Sequence, residues 1–185
     1  MKIIQIPGLT LENSKDFFNI LKISRTDVAT FFAWQELQTP VEDLSDLISH
    51  NLSTSHPVDL FAKSYGSYIA IRAIEHARVE NPHLDFNLLR LNIFGLPYRL
   101  GYPPDPGVLN NLEVEFNDPP LAFAYLQALE SLKVSITIYQ GDKDDLGPID
   151  CLEEQVKEFN NIKLNRLLDQ SHNIDPTIIK FDRYE

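Results

Sequence analysis

Cysteine is nearly missing from this chain: its 185 residues include one, Cys151. A single thiol excludes an intramolecular disulfide and fits a reducing compartment. Long apolar runs are missing too, and no stretch reaches the length that crosses a bilayer. The opening residues MKIIQIPGLT are broken by Pro7-Gly8 too soon to read as a signal peptide. Positive charge is scarce: 16 Lys and Arg face 27 Asp and Glu, for a formal net charge of -11. That field disfavours nucleic acid and anionic membranes as partners. The acidic residues are scattered, so no acidic tail is expected. There is no H-x-x-x-H spacing, no pair of cysteines and no Gly-rich phosphate loop, so neither a metal nor a cofactor is expected. Internal repeats and low-complexity segments are absent as well. What is there, 43% hydrophobic and 23% charged, is ordinary for a globular protein. The expectation is one cytoplasmic domain over residues 1–185, with no nucleic-acid partner and no membrane insertion.

The stretch that organises the chain is 58–77, VDLFAKSYGSYIAIRAIEHA. A β-prone apolar run (58–62) meets a turn of small residues around Ser64. A helical pattern follows, with Ile69, Ala70, Ala73, Ile74 and Ala77 on one face. Strand, tight turn with a serine, then helix is the context of a nucleophile elbow. The residues two before and two after the serine must be small because strand and helix crowd there. Ala62 and Gly66 meet that need. Ser64 itself is expected to take a strained backbone conformation that lifts its hydroxyl above the sheet edge. Through this G-x-S-x-G pattern, with alanine in the first position, the chain resembles the α/β-hydrolase superfamily.

Elsewhere, strands are expected at 2–6, 28–34, 88–94, 134–140 and 163–168, and helices at 11–23, 41–52, 67–79, 121–132, 149–159 and 177–184. Asn13 or Ser14 is a candidate cap for the first helix. This alternation implies an α/β three-layer sandwich, a mainly parallel twisted sheet of six strands with helices on both faces. If the first strand matches the family's oxyanion strand, the resemblance implies the strand order 2-1-3-4-5-6. The long irregular segment 95–118 carries Pro103, Pro104 and Pro106 and falls where the family inserts its cap, so it is expected to form a short lid.

The resemblance also implies a Ser, acid, His order along the chain. The sequence Gln140-Gly141-Asp142-Lys143-Asp144-Asp145 is similar to the family's strand-G-x-x-D loop, which selects Asp144; Asp142 and Asp145 stay open as competitors. His172 follows the last strand, whereas His50, His56, His76 and His83 all precede the acid. His76 and His83 read as solvent-facing. The oxyanion hole implied by the family takes one backbone N–H from Tyr65 and another from Leu9, with Thr10 next. Tyr98, Tyr102 and Phe116 are candidates to line an acyl pocket or to anchor the lid. Lys63 reads as a solvated turn residue or as a determinant of anionic substrates, and Ser67 as part of the following helix's first turn.

The activity implied is that of a cofactor-independent serine hydrolase acting on a small-molecule carboxylic ester or thioester. Ser64, His172 and Asp144 would form its triad. Two other readings compete. One is a catalytically silent hydrolase-fold protein used for binding or regulation, and the other is a flavodoxin-like domain holding phosphate at the Ser64 turn.

Overall fold

Short runs of β-branched and aromatic residues make the strands, and amphipathic segments between them make the helices. The computed structural model describes residues 2–21, 28–97, 130 and 134–179. The strands are β1 (Lys2–Ile6), β2 (Val28–Phe31), β3 (Val58–Lys63), β4 (Leu89–Phe94), β5 (Ser135–Gly141) and β6 (Ile162–Leu167). All pairings are parallel, in the order β2-β1-β3-β4-β5-β6. The helices are α1 (Leu11–Ile20), α2 (Pro40–Ser53), α3 (Gly66–Glu80) and α4 (Ile149–Val156).

The period-two alternation of the strands sorts their side chains onto two faces. On one face Ile4, Leu60, Leu91 and Ile138 pack with Leu44 and Ile48 of α2, Ile69 and Ile74 of α3, and Leu152 of α4. On the other, Ile3, Phe61, Phe94 and Tyr139 pack with Phe17 and Phe18 of α1 and with Ile174. Phe94 stacks between Phe61 and Tyr139, with ring centroids 6.0 and 5.1 Å away. The central strand β3 is buried along its whole length. Asp59 within it carries a partner: Arg90 Nε donates to its carboxylate at 2.5 Å from the paired position on β4.

The expected sheet order is the one observed, and most strand limits fall within a residue of expectation. Three readings are corrected. The second strand was expected over 28–34, but β2 stops at Phe31 and Trp34–Glu36 form a 3-10 turn. The cause is Trp34, whose indole Nε1 turns inward to donate to Pro7 O at 2.7 Å. Neither Asn13 nor Ser14 caps α1; Thr10 holds the cap position, and Ser14 lies a turn inside the helix. At the chain end the expected helix 177–184 begins as a 3-10 turn, Pro176–Ile178, and its remainder beyond 179 lies outside the described residues. Most of the expected helix 121–132 and most of the lid 95–118 lie outside them too. Among the described residues, no helix is long and apolar enough to cross a membrane.

Candidate active site

β1 and β3 are the neighbours at which strand order reverses, and their C-terminal ends open a crevice. β3 ends at Lys63, and α3 starts at Gly66, so the chain must reverse within Ser64-Tyr65. Ser64 does this with a φ of 50°, in the left-handed region that side chains with a Cβ avoid. Hydrogen bonds on both sides hold the strain. Ser64 N donates to Phe94 O at 2.9 Å, and Ser67 Oγ donates to Ser64 O at 2.6 Å. Ser67 thus lies in the helix's first turn, as its position in the sequence suggested. Gly66 has to be glycine: a Cβ there would collide with Pro7 O and lie 2.6 Å from Ile6 O. The end of β1 packs directly against the start of α3.

Three side chains from distant parts of the chain meet at this turn. Ser64 Oγ lies 2.7 Å from His172 Nε2. His172 Nδ1 lies 2.9 Å from Asp144 Oδ2. Asp144 is buried, and its other oxygen accepts from Leu146 N at 2.9 Å and Gly147 N at 3.2 Å. Asp145 is exposed, and the hydrogen bond to the imidazole comes from Asp144 rather than from Asp142 or Asp145. Gly95, at a φ of 68°, backs the imidazole; a Cβ there would stand 3.3 Å from His172 Nδ1.

The loop after β1 lies beside Ser64, since a Cβ on Gly8 would be 3.2 Å from Ser64 Cβ. Three side chains fix that loop. Ser14 Oγ accepts from Gly8 N at 3.0 Å, Trp34 holds Pro7 O, and Gln35 Nε2 donates to Gly8 O. Among the described residues the Leu9 amide makes no hydrogen bond. Tyr65, at the head of α3, has its phenol pushed up from its ordinary value by burial. Tyr68 is pushed up further by burial and by Tyr65, and it donates its hydroxyl to Pro97 O at 2.8 Å. Tyr98, Tyr102 and Phe116 lie outside the described residues.

Two sequence readings are corrected here. Lys63 is not a solvated turn residue: it is the last residue of β3, pairs with Phe94 on β4 and is 8% exposed. Its side chain lies along the α1 face, with Nζ 5.6 Å from the Phe17 ring centroid. Burial lowers its pKa from the ordinary lysine value. His76 is half-buried rather than solvent-facing, with Nδ1 3.1 Å from Ser45 Oγ, because the end of α3 still packs along α2. His83 is exposed, as expected.

Gln140 has no role in the sequence reading, yet it is central to the site. This fully buried side chain at the end of β5 donates from Nε2 to Asp144 Oδ2 at 2.8 Å and to Gly147 O at 2.7 Å. Its Oε1 accepts from Leu96 N at 2.8 Å. The available signal was an amide side chain ending a strand that is otherwise largely apolar. Such a group must find partners in the adjacent loops.

No family model and no curated protein matches this sequence. Solved structures do. An N-acyl homoserine lactone degrading enzyme superposes over 94% of this chain and 86% of its own, with a TM-score of 0.56 at 12% identity. An esterase from Exiguobacterium antarcticum covers 93% of this chain and 85% of its own, with a TM-score of 0.52 at 13% identity. The chain has the α/β-hydrolase fold. An N-formylmaleamic acid deformylase from Pseudomonas putida is another neighbour, with a TM-score of 0.57 at 13% identity over 92% of this chain and 85% of its own. Within the α/β-hydrolase fold, the Ser64 turn occupies the strand-to-helix junction of the central strand.

Proposed function

We propose that this protein is a serine hydrolase that cleaves a carboxylic ester or thioester through an acyl-enzyme. The observation that carries the reading is the continuous relay from Ser64 Oγ through His172 to Asp144, with contacts of 2.7 and 2.9 Å. In this reading His172 Nε2 takes the Ser64 proton as Oγ attacks the acyl carbon. Asp144 keeps the proton on Nδ1, so Nε2 is free to accept, and it stabilises the imidazolium that forms. The Leu9 and Tyr65 amides receive the oxyanion of the tetrahedral intermediate. His172 then gives its proton to the departing alkoxide or thiolate. Water, deprotonated by the same imidazole, attacks the acyl-serine and releases the acid. Neighbours described as esterases support the ester class.

The strain at Ser64 also supports this reading, because a left-handed serine held by its surroundings is found where strain serves function. A serine and an imidazole held apart, with no labelling of Ser64, would favour the silent binding-protein alternative; the two lie 2.7 Å apart. The test is labelling with a fluorophosphonate probe, in wild type, Ser64→Ala and His172→Ala. Labelling should map to Ser64 and vanish in both variants. A folded wild type that does not label overturns the triad reading.

A further inference from the structure

Beside the triad, on the opposite flank from α3, lies a second concavity of about 250 Å³. It sits between α1 and the segment that follows His172. Asn13, Asp16 and Phe17 line one side, Asn173 and Ile174 the other, and Lys63 lies among them. Lys63 immediately precedes Ser64 and Asn173 immediately follows His172, so the cavity shares both backbone segments with the triad.

The unusual feature is the cation. Lys63 is 8% exposed, and among the described residues its ammonium has neither an ion pair nor a hydrogen bond. The face of the Phe17 ring lies 5.6 Å from its Nζ. A charge partly withdrawn from water favours a partner that compensates it. Asp16 does not do so: it is an exposed residue of the lining, it forms no ion pair with Lys63 among the described residues, and it is screened by solvent.

We infer that this cavity is a binding site for a small carboxylate, whose anionic oxygens pair with Lys63 while its short chain lies against Phe17 and Ile174. The Asn13 and Asn173 amides lie on the walls, where they can donate to the same group. The volume admits an acid of a few carbons rather than a long acyl chain. Two sources share this chemistry: an acidic arm of the substrate itself, or a separate small acid such as the product of ester hydrolysis. Burial lowers the Lys63 pKa, and a bound carboxylate would restore it.

Glutarate is a suitable probe, titrated calorimetrically into the full chain at constant ionic strength. Saturable binding is expected, weakened by about tenfold or more in Lys63→Met and partly kept in Lys63→Arg. In wild type, glutarate should also protect Lys63 from amine-directed acylation mapped by mass spectrometry, a readout that needs no variant. Neither measurement depends on Ser64 chemistry, and Ser64→Ala should bind glutarate as wild type does, so loss of the hydrolase reading would leave this result intact. If glutarate also competes with a p-nitrophenyl ester, the site takes an arm of the substrate. If it binds without competing, the site takes a separate acid. Absence of saturable binding and of protection in wild type, or equal affinity in folded Lys63→Met, overturns the inference.

Discussion

Gln140 and His172 meet at one atom, Oδ2 of Asp144. The amide donates to it at 2.8 Å and the imidazole approaches it at 2.9 Å. The carboxylate is therefore held from the strand side while it holds the histidine. Gln140 also spans the loops after β4 and β5 through Leu96 and Gly147. Replacing it with leucine removes those bonds and lets the carboxylate rotate. Gln140→Leu should slow fluorophosphonate labelling of Ser64 by about a hundredfold, the scale of a small misplacement of a reacting group. Gln140→Asn, which keeps the amide but not its reach, should recover little. A purely structural role would lower the melting temperature but leave the labelling rate of the folded fraction unchanged.

Ser64 separates stability from activity. At a φ of 50° a glycine is relaxed and an alanine is not. Ser64→Gly should melt higher than Ser64→Ala, by about 1 kcal/mol in stability, although both are inactive. Equal melting curves would show that the backbone there is not strained.

Gly66 tests the packing of β1 against α3. A single methyl would press on Ile6 O and Pro7 O, which are backbone and cannot swing aside. Gly66→Ala should destabilise the protein by about 1–3 kcal/mol in a denaturant titration, the range for overpacking. It should also displace the Leu9 loop, so activity should fall further than the loss of folded protein explains.

Lys143 and Asp169 tie the acid loop to the histidine loop, with Nζ 2.7 Å from the carboxylate. The hydrogen bond from Lys143, then its charge, holds the Asp169 carboxyl below its ordinary value. A carboxyl lowered in this way favours the folded state above its ordinary pKa, and that contribution is lost as pH falls through the lowered one. In Lys143→Ala the Asp169 carboxyl resonance should titrate at higher pH, moving back toward the ordinary value. Both side chains are largely exposed, so the melting temperature should barely change.

The elbow was legible because its constraints are local: small residues at 62 and 66 flank a serine between a β-prone run and a helical one. Sheet order was legible through family likeness, and the observed order agrees with it. The likeness to the family's strand-G-x-x-D loop selected Asp144 but left Asp142 and Asp145 open, because three carboxylates in one turn differ in where the folded loop points them. Lys63 misled for a related reason. Lysine normally marks solvent, and only the pairing of β3 with β4 shows that the strand continues through it. Gln140 and Trp34 were silent, and Ser14 was read as a helix cap, because their partners lie in loops that sequence pattern does not place.

The collision that bars a side chain at residue 66 also has a kinetic consequence. The strained turn at Ser64 is bonded on one side to the carbonyl of residue 94, and Gly66 just after it packs against carbonyls 6 and 7, all remote in sequence. No local segment can hold that turn alone, and parallel pairing of this kind closes large loops before it gains contacts. During refolding, helical signal should return before reactivity toward the probe does. Reactivity at Ser64 would thus report the last strands to dock, not the first helices to form.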